Sequence, residues 1–190
     1  MNDSTMQSLQ NNLLIAMPSM DDPMFGRSVT YICEHNQDGA MGIVINHPMP
    51  LKVAELLNQL DIDYNATSKA ADAQVCAGGP VQHDRGFVLH TPKPGFASSL
   101  QLTDELMVTT SKDILEQLTS DNAPEKFILA LGYAGWSPGQ LEQELADNSW
   151  LVVPADNQII FDLCHADKWH SATQKLGIQA WQLSPQAGHA

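Results

Sequence analysis

The sequence is short of positive charge. Nine lysines and arginines stand against 22 aspartates and glutamates, giving a formal net charge of −13. The bases are scattered singly, with no two adjacent. A nucleic-acid binder draws most of its non-specific affinity from a clustered basic footprint. No direct nucleic-acid partner is therefore expected, and the same repulsion argues against an anionic membrane. Long apolar runs are missing as well: residues 13–17 and 127–131 are strand-sized, far short of the roughly 20 residues a spanning helix needs. The N-terminal residues carry no basic export-type segment. Cysteine is scarce too. Cys33, Cys76 and Cys164 are odd in number and far apart, which reads as reduced thiols and a cytoplasmic location. With no C-x-x-C, H-E-x-x-H or H-x-E pattern, no metal and no cofactor is expected.

What is present suits a globular protein. A chain of 190 residues with 43% hydrophobic content buries roughly 70% of its unfolded surface as one domain. A single domain over 1–190 is expected, with 1–11 frayed and 182–190 a flexible tail. Strands are expected at 13–17, 27–35, 40–46, 74–77, 86–90, 106–109, 127–131 and 150–153. The turn at 36–39 makes the second and third of these the best hairpin. Helical spacing marks 51–60, 111–119, 138–146 and 166–176, the last stopping at Gly177. Strands and helices intermix without a regular βαβ repeat, so the fold class is α+β.

Four features invite a chemical reading. Gly135-Trp136-Ser137-Pro138-Gly139 matches the nucleophile elbow G-x-S-x-G, with Asp162, His165 and His170 following in triad order. Pro138 counts against it, because that oxyanion hole uses the N–H after the serine and proline has none. Ser137 as N-cap, with Gln140 completing a capping box, explains the segment better. Cys33-Glu34-His35 would place the thiol and imidazole on one strand face with Val29 and Tyr31, and Glu34 on the other. Those neighbours suggest a buried, inert thiol. Gly78-Gly79-Pro80-Val81 matches no nucleotide-binding fingerprint; a tight turn or close backbone approach suffices, with an anion nest the open alternative. Finally, the chain has only two arginines, Arg27 and Arg85. So sparing a use suggests bidentate contacts, either to an anion or to an acid such as Glu34, Glu142 or Glu144.

Taken together, the segments resemble the bacterial AlgH/YqgE family. The likeness is carried by Leu14-Ile15-Ala16-Met17-Pro18, Arg27-Ser28-Val29, Cys33-Glu34-His35, Gly39-Ala40-Met41-Gly42, Gly78-Gly79-Pro80-Val81, Arg85-Gly86-Phe87-Val88-Leu89-His90, Gly135-Trp136 with Gly139-Gln140-Leu141-Glu142, and Asn148 with Trp150-Leu151. The resemblance implies a compact α+β domain with a bifurcated, partly barrel-like mixed β-sheet surrounded by helices. Family members are labelled transcriptional regulators through a genetic link to alginate control, and no reaction is established for the family as a whole.

The expectation that follows is a regulatory or adaptor module binding a small anionic ligand or an unknown protein partner, with no catalytic residue assigned. Its binding set is Arg27, Glu34, His35, Gly78, Gly79, Arg85, Trp136, Gln140 and Glu142. Arg27 and Arg85 would be the anion anchors and Trp136 an apolar wall. The alternative is an enzyme performing hydrolysis or thiol chemistry with Cys33, Glu34, His35 and Arg85.

Overall fold

The computed structural model describes residues 7–177. They fall into two compact units, one of residues up to Asn46 together with those from Ala134 onward, the other His47–Tyr133. Strand β9 (Phe127–Trp136) carries the chain from the second unit into the first.

In the first unit, β1 (Asn12–Ala16), β2 (Val29–Asn36), β3 (Gly39–Val44) and β10 (Trp150–Pro154) form an antiparallel sheet in the order β10-β1-β2-β3, and β3 pairs in turn with the last three residues of β9. The β2–β3 hairpin stands where the sequence placed it. Its tight turn requires Gly39, whose φ is +125° and where a Cβ would lie 2.1 Å from the Trp136 carbonyl oxygen. Leu14, Ala16, Ile32, Ala134, Trp136, Leu141 and Trp150 pack as one apolar cluster. Phe25, Trp136 and Trp150 meet there in tilted and edge-to-face pairs 5.7–6.5 Å between centroids. Helix α4 (His165–Lys175) stops before Gly177, whose φ of +70° is the left-handed conformation expected after a helix end. It anchors through Trp169, whose indole N–H donates to the Ala16 carbonyl at 2.8 Å.

The hairpin holds one surprise. Pairing runs Ile32 to Gly42, then Glu34 to Met41 and His35 to Ala40, so Cys33 is an extra, bulged residue. A bulge of one residue reverses the faces of everything beyond it. Strict alternation had put His35 on the face of Cys33 and Tyr31. The observed register instead puts His35 on the face of Ile32, because their partners Ala40 and Gly42 alternate by two.

The second unit is built on the first part of β9. Strand β6 (Val81–His90) pairs antiparallel with β9, followed by β8 (Leu106–Thr109) and β7 (Ser99–Thr103). Strand β5 (Gln74–Ala77) pairs with β9 in parallel, and β4 (Pro48–Lys52) joins β5. With β5 and β6 as partners here and β3 at its end, β9 is where this mixed sheet branches. Helix α1 (Val53–Gln59) lays Val53, Leu56 and Leu57 against Val75, Val88 and Leu129. The fold class is therefore α+β, with helix α2 (Lys112–Leu115) and helix α3 (Gln140–Ala146) completing the set.

Of the eleven residues expected to fray, 1–6 lie outside the described residues, as does the expected tail at 182–190. Ser8 and Leu9, by contrast, bond to His35, and the Asn11 N–H bonds to the Ile32 carbonyl. The helix expected over 111–119 closes after one turn and continues as single turns to Ser120. No described helix is long and apolar enough to cross a membrane.

Candidate functional site

The first unit holds six of the nine expected residues. The β2 bulge turns the side chain of His35, 2% exposed, toward α3, where its Nε2 lies 2.7 Å from Glu142 Oε1. Its Nδ1 accepts the Leu9 N–H at 2.9 Å. Nδ1 is thus an acceptor, and the proton of the neutral ring resides on Nε2, pointing at the carboxylate. The Glu142 carboxyl is held below its ordinary range, first by its own backbone N–H in the opening turn of α3 and then by His35. Two residues further along α3, Glu144 accepts hydrogen bonds at Oε2 from the indole N–H groups of Trp136 and Trp150, both at 2.8 Å, and at Oε1 from Gln140. Trp136 and Gln140 are therefore joined through Glu144, a residue the sequence offered only as an arginine's partner. A pocket of about 210 Å³ opens beside Trp136, but Glu34 and Asp38 line it, which disfavours an anion.

The elbow-like segment is a helix entrance. Gln140 reaches back to accept the Ser137 N–H at 3.0 Å, as the capping reading required. The N-cap itself is Gly139, with φ +76°, one correction to the expected Ser137. Of the triad candidates, His165 bonds the Ile45 carbonyl and His170 bonds Gln174. Cys33 is buried, and burial pushes its thiol up to about 12, helped by Glu34. Glu34 itself is exposed and accepts from Asn36. Arg27 adopts a left-handed φ of +54° and places its guanidinium 4.9 Å over the Trp169 ring. Its carbonyl accepts the Asn46 side-chain N–H, while the same amide's oxygen receives the Val29 N–H.

Gly78, Gly79 and Arg85 belong to the second unit. A Cβ on Gly78 would lie 2.3 Å from the Gly132 carbonyl oxygen, and one on Gly132 2.5 Å from that of Gly79. Two backbones meet here at a distance only glycine allows, and the Gly78 N–H is spent on the Leu131 carbonyl.

Arg85 sits where β6 leaves its ladder. Val81 pairs with Tyr133 and Gly86 with Leu131, so residues 82–85 loop out of the pairing. Such an excursion re-aims side chains. The Arg85 guanidinium rests 5.4 Å over Phe87, and among the described residues its side chain hydrogen-bonds to Gln82, at 3.4 Å. It lines a pocket of about 280 Å³, together with Lys112, Asp84 and the threonines Thr109 and Thr110. Among the described residues, neither Arg85 nor Lys112 is ion-paired. The nearest acid in sequence to Lys112 is occupied elsewhere: Asp113 takes the Ser111 hydroxyl and the Ala97 N–H, and the Ser111 bond leads in holding its carboxyl down. Beneath the pocket, Thr109 donates to His90 Nε2 and accepts from Ser99, while His90 Nδ1–H donates to the Thr91 carbonyl. His90 is fully buried, and burial holds its pKa below 6.5. Lys112 was missed in the sequence because a lone surface lysine has no signature there.

A branched mixed sheet with these glycine contacts and a helix-entrance G-W-x-x-G segment defines a class rather than a reaction. The chain belongs to the AlgH-like (DUF179) family, whose model matches residues 13–181. Among its relatives, a UPF0301 protein of Pseudoalteromonas translucida is 59% identical over 185 residues, covering 97% of this chain and all of the relative. One from Shewanella sp. strain ANA-3 is 58% identical over 187 residues with the same coverage. The solution structure of the AlgH protein from Pseudomonas aeruginosa is 47% identical, with a TM-score of 0.78 over the whole of both chains. The crystal structure of a Corynebacterium diphtheriae protein, 22% identical with a TM-score of 0.71 over 89% of this chain and 87% of its own, shares the fold.

Proposed function

We propose that this protein is a cytoplasmic regulatory module that binds a small anion in the pocket of Arg85 and Lys112. The observation that carries the proposal is the presence of two uncompensated cations on one pocket in a chain of net charge −13. Two other lysines are neutralised by acids, Lys52 by Asp72 and Lys175 by Asp156. A guanidinium fixed over an aromatic ring and left without a carboxylate is a ready bidentate donor. Arg27, stacked on Trp169, we assign to holding α4 rather than to the ligand. His35, Trp136, Gln140 and Glu142 we assign to fixing α3 in the first unit, and Gly78 and Gly79 to the backbone contact with Gly132.

Among the described residues no two cysteines form a disulfide, which accords with a reducing compartment. Against a thiol enzyme stands Cys33 itself, buried and with its pKa raised, the reverse of an activated nucleophile. The test is calorimetric titration with inorganic phosphate at low ionic strength, on wild type and Arg85→Gln. Binding that the variant loses while remaining folded supports the reading; binding indifferent to Arg85 refutes it.

A further inference from the structure

We infer that the anion is a phosphomonoester carrying a small apolar group, an inference that rests on the anion-site reading above. Three features of the pocket select this class. The first is the pairing of a planar guanidinium fork with a point-charge ammonium, Arg85 with Lys112. A carboxylate has two oxygens in one plane, and a fork occupies both. A phosphate monoester presents three oxygens in a tetrahedral arrangement, so the fork can hold two and leave a third for the ammonium.

The second feature is an unclaimed donor. Thr110 lines the same pocket and its hydroxyl has no hydrogen-bond partner among the described residues, whereas Thr109 and Ser111 are already committed to His90, Ser99 and Asp113. The third is the remaining wall. Leu60, Val88, Ile114 and Leu115 line it, and Leu60 is 41% exposed, a large apolar side chain left open to solvent at the end of α1. An inorganic anion makes no use of such a wall. Asp84, on the same pocket, repels negative charge placed away from the two cations. The ligand's charge is therefore concentrated at one end and its other end is apolar.

The probes are phenyl phosphate, inorganic phosphate and benzoate, titrated calorimetrically into wild type, Arg85→Gln, Lys112→Gln and Leu60→Ala. Unfolding midpoints verify that each exposed-residue variant is folded. Burying about 60 Å² of ring against the apolar wall is worth roughly a factor of ten in affinity. Phenyl phosphate is expected to bind about tenfold tighter than either inorganic phosphate or benzoate. Leu60→Ala should erase its advantage over inorganic phosphate, and both charge variants should weaken it. Equal binding of phenyl phosphate and inorganic phosphate would overturn the apolar end while leaving the anion site intact. Equal binding of benzoate would overturn the phosphate head in the same way. Failure of every probe, or binding unchanged in both charge variants, would overturn the anion site itself.

Discussion

His35 and Glu142, 107 residues apart in sequence, share a 2.7 Å hydrogen bond that fixes which face of the imidazole meets each partner. Nε2–H points to the carboxylate of α3, and Nδ1 holds the Leu9 N–H. Replacing His35 by alanine strands both partners, and a loss of about 1–3 kcal/mol in urea unfolding is expected. Glu142 is partly exposed, so Glu142→Gln should cost less than about 1 kcal/mol.

The same pair carries a pH signature. The Glu142 carboxyl has a folded pKa below its ordinary value, so its contribution is present above the unfolded pKa and is lost as pH falls through the folded one. The stability gap between wild type and Glu142→Gln should be full at neutral pH and close only in acid, below the usual carboxylate range. A gap independent of pH would exclude the carboxylate as its source.

His90 shifts stability in the same direction for a different reason, burial of a ring that must stay neutral. Its buried ring is harder to protonate when folded than when unfolded. In the window from the ordinary value of 6.5 down to the folded pKa, the unfolded chain binds the extra proton, and stability falls as pH falls. The ring signals of His90 in an NMR titration should show a midpoint below the ordinary imidazole value. A midpoint at 6.5 would contradict the burial argument.

Gly78 and Gly139 separate two reasons for glycine. Gly78→Ala forces a Cβ onto the Gly132 carbonyl oxygen at 2.3 Å, and overpacking of that kind costs about 1–3 kcal/mol or more. Gly139→Ala meets no atom within 4 Å and carries only the strain of φ +76°, about 1–2 kcal/mol. Unfolding midpoints should rank Gly78→Ala as the more damaging.

Thiol reactivity distinguishes the cysteines. Cys164 is exposed, with its Sγ 2.9 Å from an Asp167 carboxylate oxygen, while Cys33 and Cys76 are buried. Alkylation of the folded protein at neutral pH should modify Cys164 alone, with Cys33 reacting at the rate of unfolding. Rapid labelling of Cys33 would revive the thiol-enzyme alternative.

Much of the architecture was legible, and the reasons for the misses are local. The hairpin, β1, β5, β8, β10, α1 and α4 follow from period and turn residues that agree with one another. Strand β4 was hidden by Pro48 and Pro50, which lack ladder donors and are tolerated because this strand pairs only with β5. Strand β7 is an edge that buries Leu102 but leaves Leu100 55% exposed, so its apolar pattern gives no alternation to read. The bulge at Cys33 leaves no mark in composition, yet it decides that His35 meets α3 rather than the thiol. Of the candidate site, Arg85 stood out by the rarity of arginine. Lys112 and Thr110 did not, since their pocket is assembled from β6, β8 and α2 at distances sequence spacing does not encode.

The proposed role stands or falls with anion binding in the Arg85–Lys112 pocket. An amide ¹H–¹⁵N titration with inorganic phosphate at low salt, on the uniformly labelled full chain, tests this residue by residue. The predicted result is saturable shifts confined to residues 84–86 and 109–115, absent in Arg85→Gln. Shifts that leave those residues unmoved, or that persist in the variant, would contradict it.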